Sequence, residues 1–110
     1  MRIYIAGPCT GYPDQNYPAF HAEAARLRAL GYEVVSPPEI CAPHLDWDGC
    51  MQVCLAALPT CEAVAMLPGW SRSRGATMEV ARAMSLGMRC LPAAEWARVR
   101  AGRLAGRAGA

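Results

Sequence analysis

Lysine is absent from this 110-residue chain, and all eleven of its basic residues are arginine. This absence excludes the phosphate-binding lysine of a Walker-type loop and every mechanism that forms a Schiff base on the enzyme. Charge of either sign is scarce, since only 18% of the residues are charged and the net charge is +2. A balance so close to neutral is too small for a duplex-binding surface, so no nucleic acid polymer is expected as a partner.

Long apolar runs, the layout of a signal peptide and a dinucleotide-binding fingerprint are also lacking. No stretch approaches the roughly 18 apolar residues of a membrane span. The first residues, MRIYIAG, lead into a glycine-proline turn without the layout of a signal peptide, so a cytoplasmic protein without a membrane partner is expected. The loop after this run lacks the G-x-G-x-x-G dinucleotide fingerprint, so no nicotinamide or flavin is expected, and no other cofactor is predicted.

Cysteine is plentiful, with six residues, but the chain lacks the secretory features that accompany disulfide frameworks and has enough apolar residues to build a core. We therefore predict reduced thiols and no metal site. The alternative is a zinc-stapled interaction protein, because Cys41, His44, Cys50 and Cys54 are suitable ligands close together in sequence. Against it, their spacing is not that of paired C-x-x-C ligands, and Cys50 and Cys54 also fit the buried stripe of a helix.

Hydrophobic periodicity predicts one domain of alternating strands and helices. Strands are predicted in RIYIAG, YEVVS, EAVAMLP and MRCLP. Helices are predicted in YPAFHAEAARLRAL, GCMQVCLAALP, ATMEVARAMSLG and AAEWARVRAGRL. Gly31 and Gly87 are expected to end the first and third helices, either Asp46 or Asp48 is expected to cap the second, and a loop is expected from Pro37 to Trp47.

This alternation with short connections indicates right-handed crossovers between parallel strands. The predicted fold class is α/β, a small doubly wound parallel sheet, flavodoxin-like or Rossmann-like, of four to five strands with helices on both faces. The first strand is expected at its centre. One domain is predicted over residues 1–104, followed by a flexible tail over residues 105–110.

Ligands of such sheets bind at the carboxyl ends of the strands, which directs attention to the loop and helix after the third strand. A helix starting near Gly75 or Ala76 would offer free backbone N–H groups to an anion beside Ser73, and Arg74 would add positive charge. Glu79 would then lie in the first turn, where the helix dipole keeps a carboxylate ionised. The structural alternative, a capping box, would need Ser or Thr at the position of Ala76, so a functional role for Glu79 stays open beside an ordinary first-turn role.

Other candidate residues keep two interpretations each. Tyr4, in the central strand, is either a core residue with a bonded hydroxyl or part of a site. Trp70 is either a wall on which a base stacks or an anchor for its loop, and Asn16 is a turn residue or a helix cap. The loop and capping acids, any of which could serve as a second carboxylate of a site, are Asp14, Glu39, Asp46 and Asp48.

Three segments together resemble a known family. RIYIAGP, GYPDQNYPAFHAEAARLRALGYEVVSP and LPGWSRSRGATMEVARAMSLG resemble the nucleoside 2-deoxyribosyltransferase-like superfamily, particularly a small branch common in phages and prophages. The resemblance covers nearly the whole chain to about Pro92. It implies cleavage or exchange of the N-glycosidic bond of 2'-deoxynucleosides or their 5'-monophosphates. It also implies self-association as a homodimer or a higher homo-oligomer, because relatives complete their sites with a neighbouring subunit.

The resemblance assigns roles to individual residues. Glu79 takes the position of the family's nucleophile, with Tyr4 beside it, and Ser73 takes that of the phosphate-binding serine six residues earlier. A serine there implies a nucleotide, so the chain is similar to deoxynucleoside 5'-monophosphate N-glycosidases. The substrate-binding residues are predicted to be Gly7, Pro8, Trp70, Ser73, Arg74 and Gly75.

The chain departs from the family at one position. Counting back from Glu62, which opens the third strand, the family's aspartate falls at Cys54. A thiol is a weaker hydrogen-bond acceptor than a carboxylate and is mostly neutral at pH 7. Two functions are therefore carried forward: a glycosidase or transferase in which Asp46 or Asp48 compensates for this loss, and a nucleotide-binding domain without turnover.

Overall fold

Four parallel strands form the sheet of this chain, whose computed structural model describes residues 1–99. The strands are β1 (Arg2–Ala6), β2 (Glu33–Val35), β3 (Ala63–Met66) and β4 (Arg89–Pro92). Their order across the sheet is β2-β1-β3-β4, and each pairing is parallel. β1 lies between two strands, as its apolar run predicts, and the predicted parallel sheet is confirmed.

Helices cover both faces of the sheet, which confirms the doubly wound arrangement. On one face, Phe20 packs in a cluster with Ile3 of β1. On the other face, Cys54 and Val80 pack in a second cluster with Tyr4. Successive strand residues point to opposite faces, so the neighbours Ile3 and Tyr4 serve different layers. The helices are α1 (Tyr17–Ala29), α2 (Pro37–Ile40), α3 (Trp47–Ala57) and α4 (Arg74–Ser85).

The predicted helix ends are confirmed by the backbone. Gly31 follows α1 with a φ of 93°, and Gly87 follows α4 with a φ of 76°. Residues with a side chain rarely adopt this left-handed conformation, which explains why glycine ends both helices. α3 begins after Asp46, whose Oδ1 accepts a hydrogen bond of 2.8 Å from the N–H of Gly49. Of the two predicted caps, Asp46 therefore makes the bond.

The segment predicted as a loop from Pro37 to Trp47 instead begins with the one-turn helix α2. Two successive prolines already have the φ angle that a first helical turn requires. Residues 95–99 are helical, and the buried indole of Trp96 donates a hydrogen bond of 3.2 Å to the carbonyl of Val64. The remainder of the predicted terminal helix, the domain end at residue 104 and the tail at 105–110 lie outside the described residues. Among the described helices, none combines the length and the apolar character that a bilayer crossing requires.

Candidate functional site

Glu79 carries a buried carboxyl group. It lies in α4, only 5% of its surface is exposed, and its Oε2 accepts a hydrogen bond from the hydroxyl of Tyr4. Tyr4 is itself fully buried in β1, where it is paired with Val35 of β2 and Val64 of β3. The central strand therefore holds the tyrosine, and the tyrosine orients the carboxyl group.

The prediction that Glu79 is a first-turn carboxylate kept ionised by the helix dipole is wrong. α4 begins at Arg74, so Glu79 lies in the second turn, beyond the reach of most of the dipole. Burial raises the pKa of Glu79 from its ordinary value of 4.5 to about 7, and the hydrogen bond from Tyr4 opposes that rise. Burial is the larger effect because removing a carboxylate from water disfavours its charged form.

Glu79 faces a cavity of about 510 Å³ at the carboxyl ends of the strands. An open parallel sheet brings its strand-end loops together at this edge. The cavity brings together several residues that the sequence analysis singled out, and it is lined by Gly7, Cys54, Ser73, Gly75 and Glu79. These residues come from the first loop, from α3 and from the N-cap and first two turns of α4.

The N-terminus of α4 borders this cavity. Ser73 is the N-cap, and its Oγ accepts a hydrogen bond of 3.2 Å from the N–H of Ala76. The N–H groups of Arg74 and Gly75 belong to the first turn, where a helix supplies no carbonyl partner. An adjoining depression of about 390 Å³ is lined by Pro8, Ser73, Arg74 and Gly75. The predicted anion-binding residues therefore lie together beside the Glu79 cavity.

Close packing fixes the loop that follows β1. A Cβ atom added to Gly7 would lie 2.7 Å from Cδ1 and 2.8 Å from Cβ of Leu67, so only glycine fits there without movement of the neighbouring loop. Asn16 donates a hydrogen bond of 2.9 Å from Nδ2 to the carbonyl of Pro8. Asn16 occupies the N-cap position of α1, but its side chain makes no capping hydrogen bond because its amide holds this loop instead.

The two tryptophans near the site differ in position. Trp70 lines a separate depression with Leu67 and Ser71 and is not among the residues lining the Glu79 cavity. Trp47 lines both the cavity and the depression at the start of α4, with the Arg74 guanidinium 4.4 Å from its ring centroid. Trp47 is not among the predicted site residues, and its signal in the sequence is its position at the end of the loop that follows β2.

Cys54 lies at the cavity wall in a position that disfavours the thiolate. Burial raises the pKa of Cys54 to about 11, despite an opposing hydrogen-bond interaction with Tyr4. A neutral thiol therefore lies near the Tyr4–Glu79 pair. Of the acids predicted as replacements, Asp46 lines the cavity but its side chain caps α3, and Asp48 is exposed and is not among the lining residues.

The prediction that all cysteines are reduced is wrong for one pair. Cys41 and Cys50 form a disulfide, while Cys9, Cys54, Cys61 and Cys90 are free. The turn after α2 brings the two Cα atoms to 5.5 Å, a separation that a disulfide spans. Missing secretory features and a sufficient apolar content argue against a disulfide framework, but neither bears on the local approach of two cysteines.

The sulfurs of Cys41, Cys50 and Cys54 lie within 4.8 Å of one another, and His44 is not part of this group in the described residues. Three of the four ligands in the zinc alternative are thus close together. His44 is exposed, in the turn between α2 and α3.

Comparison with solved structures supports the fold assignment. A 2-deoxyribosyltransferase from the psychrotolerant bacterium Bacillus psychrosaccharolyticus is similar with a TM-score of 0.65 and 19% sequence identity, over 82% of this chain and 69% of that one. A 2-desoxiribosyltransferase from Leishmania mexicana is similar with a TM-score of 0.65 and 22% identity, over 83% of this chain and 62% of that one. At these identities the similarity concerns the fold.

Sequence comparison gives the family. No curated protein matches the chain significantly. Residues 1–91 match the family described as Domain of unknown function (DUF4406). Since this match covers β1 to β3, α1 to α4 and most of β4, including every residue lining the Glu79 cavity, the chain belongs to the DUF4406 family.

Proposed function

We propose that this protein cleaves or transfers the N-glycosidic bond of a 2'-deoxyribonucleoside 5'-monophosphate, with Glu79 as the nucleophile. The observation that carries the proposal is the buried Glu79 carboxyl group, held by Tyr4 at a cavity that also reaches the start of α4. The similarity in fold to two 2-deoxyribosyltransferases agrees with it.

The start of α4 is the proposed phosphate site. Ser73 uses its oxygen lone pair to accept from the helix backbone, which leaves its O–H free to donate to a phosphate oxygen. The N–H groups of Arg74 and Gly75 and the positive end of the helix add to this attraction. From Ser73 to Glu79 the helix rises about 9 Å, enough for a pentose to lie between a bound 5'-phosphate and the carboxyl group.

Glu79 would act on the anomeric carbon. Departure of the base leaves an oxocarbenium-like sugar, and a carboxylate on the opposite face captures it as a glycosyl ester, as in retaining glycosidases. Tyr4 holds one carboxyl oxygen, so the other would be the attacking atom. Water would release the sugar phosphate as a hydrolysis product, whereas a second base would give transfer. Because the pKa of Glu79 is about 7, the reactive carboxylate forms near neutral pH.

The departing base needs a partner that donates a proton or a hydrogen bond. Cys54 stands where the family resemblance places an aspartate, and a thiol with a pKa of about 11 transfers protons poorly at pH 7. This observation favours a second candidate function, a domain that binds nucleotides without releasing the base. Apart from Glu79, the acidic residue among those lining the cavity is Asp46, but Asp46 would have to give up the cap of α3 to replace the aspartate.

The test is incubation of the purified protein with each deoxyribonucleoside and each 5'-monophosphate, followed by chromatography of the free bases. Base is expected only from monophosphates, and only when Glu79 is intact. Glu79→Gln is the inactive variant, and Glu33→Gln, which changes an exposed glutamate of β2, is the matched control. Adding a second base separates transfer from hydrolysis, because only transfer yields a new nucleotide.

The two candidate functions give different results in the same assay. Release that survives Glu79→Gln would refute the nucleophile. Monophosphate binding without release from any substrate, together with release gained by Cys54→Asp, would establish the binding domain. Release of base from nucleosides as fast as from monophosphates would refute the phosphate site at Ser73.

Self-association is part of the proposal. α4 and the residue after it expose three large apolar side chains, Met78, Met84 and Leu86. Exposed apolar side chains of this size are favoured positions for contact with a second copy of the chain. Sedimentation velocity should therefore give a dimer or larger species, and Met84→Lys should shift it toward the monomer; a wild-type monomer at assay concentrations would contradict this part.

A further inference from the structure

Three cysteine sulfurs form a cluster in the wall of the Glu79 cavity. Cys41 directly follows α2, and Cys50 and Cys54 lie one turn apart on α3, where residues i and i+4 share a helix face. All three sulfurs lie within 4.8 Å of one another. The proposed nucleotide reaction leaves this cluster unexplained, since it gives no role to Cys41 or Cys50.

The distance between the free thiol of Cys54 and the sulfur of Cys41 is close to that between two sulfur ligands of one metal ion. The Sγ atoms of Cys41 and Cys54 are 3.6 Å apart. In a tetrahedral site with metal–sulfur bonds of about 2.3 Å, two sulfur ligands are separated by about 3.8 Å. Cys41 and Cys54 are therefore already placed as two corners of such a site, and Cys50, adjacent to both, is placed for a third once its bond to Cys41 is broken.

We propose that reduction of the Cys41–Cys50 disulfide creates a three-sulfur site, formed with Cys54, for one thiophilic divalent cation of the Zn²⁺ class. Thiolates select such soft or borderline cations over Mg²⁺ or Ca²⁺. Three protein ligands leave a tetrahedral ion one further position, as in zinc sites that bind a water or a substrate atom. Because all three cysteines line the Glu79 cavity, that position is accessible to a ligand in the cavity.

Opening this site requires one reductant, which reduces the Cys41–Cys50 disulfide. A water-soluble trialkylphosphine and one water molecule convert the disulfide into two thiols, and the phosphine is oxidised to its oxide. Binding of the cation then displaces one proton from each of the three thiols. The proposal is independent of the nucleotide reaction, because its readout is bound metal, and either proposal can fail while the other stands.

The test is anaerobic titration of the phosphine-reduced, desalted protein with Co²⁺, a spectroscopic substitute for Zn²⁺. Thiolate ligation gives charge-transfer absorption and tetrahedral d–d bands, both expected to saturate at one Co²⁺ per chain and to disappear on addition of one equivalent of Zn²⁺. The oxidised protein should show neither band. Cys54→Ser and Cys41→Ser should weaken Co²⁺ binding at least tenfold, whereas Cys90→Ser, which changes a free cysteine of β4, should bind as the wild type does.

Several results would overturn this site. Absence of the thiolate bands in the reduced wild type would refute it, as would equal binding by the oxidised protein. Unchanged Co²⁺ affinity in Cys41→Ser would do the same. Cys41 is half-buried and packs against the cluster around Tyr4, so the fold of this variant is checked separately. Circular dichroism of each variant confirms that a loss of binding is not a loss of fold.

Discussion

Replacing Glu79 with glutamine is expected to stabilise the protein at pH 8 while abolishing base release. Burial raises the pKa of Glu79 to about 7 from an ordinary 4.5, so the folded state holds this proton more tightly than the unfolded state does. Stability therefore falls as the pH rises from about 4.5 to about 7, where the folded protein must give up a proton that the unfolded chain has already lost. Above about pH 7 this loss of stability is complete.

The magnitude follows from the same two values. One pKa unit corresponds to about 1.4 kcal/mol, so the change from 4.5 to about 7 corresponds to about 3 kcal/mol of stability lost between pH 4 and pH 8. Glutamine has nearly the same shape, still accepts the hydrogen bond from Tyr4, and never ionises. Glu79→Gln should therefore match the wild type near pH 4 and exceed its free energy of unfolding by up to about 3 kcal/mol at pH 8.

Urea denaturation at several pH values between 4 and 8 measures this difference directly. The wild type and Glu33→Gln should lose stability together as the pH rises, while the curve for Glu79→Gln should lack that decline. Parallel pH dependence in the wild type and Glu79→Gln would refute the argument that burial of this carboxyl group limits stability. A Glu79→Gln protein that is less stable than the wild type at pH 8 would refute it as well.

Three further substitutions test the hydrogen bond to Glu79, the cap of α4 and the packing of the loop after β1. Tyr4→Phe removes a hydrogen bond that lowers the pKa of Glu79. The pH profile of kcat/KM, whose midpoint is expected near 7 in the wild type, should therefore move to higher pH. An unmoved midpoint would contradict the influence of Tyr4 on the pKa of Glu79. Ser73→Ala removes the cap of α4 and should lower the free energy of unfolding by about 1 kcal/mol. The same change should raise KM for monophosphates roughly tenfold in kinetic assays, while isothermal calorimetry should show unchanged nucleoside binding. Gly7→Ala should destabilise the fold by about 1–3 kcal/mol in urea denaturation because the new methyl group meets Leu67, and an unchanged midpoint would mean that the loop yields freely.

Most of the fold could be predicted from the sequence because its signals are local. The apolar run of β1 and the helical spacing in α1 need no tertiary information, and Gly31 and Gly87 mark helix ends through a backbone conformation that other residues avoid. The one-turn helix α2 was missed because four residues are too few to show a period. Its two prolines signal a first helical turn as well as a loop.

The site was predicted less completely because its chemistry depends on contacts between distant segments. A helix that begins at Arg74, slightly earlier than expected, moves Glu79 from the first turn into a buried second turn and reverses the predicted direction of its pKa shift. The Cys41–Cys50 disulfide depends on how the turn after α2 returns to α3, and the contribution of Trp47 depends on the docking of α3 against α4. None of these placements leaves a periodic pattern in the sequence.

Cys54 connects the two proposals and determines how they must be tested. In the oxidised protein its thiol is free and neutral at pH 7, so the Glu79 cavity has a buried carboxyl group at Glu79 and no charge at Cys54. In the reduced protein with a bound divalent cation, three thiolates carry three negative charges against two positive ones, and a net negative charge would lie near Glu79. Such a charge would raise the pKa of Glu79 further and reduce the carboxylate present at neutral pH. Base release is therefore expected to be fastest in the metal-free protein, and Zn²⁺ should slow the reduced form while leaving the oxidised form unaffected.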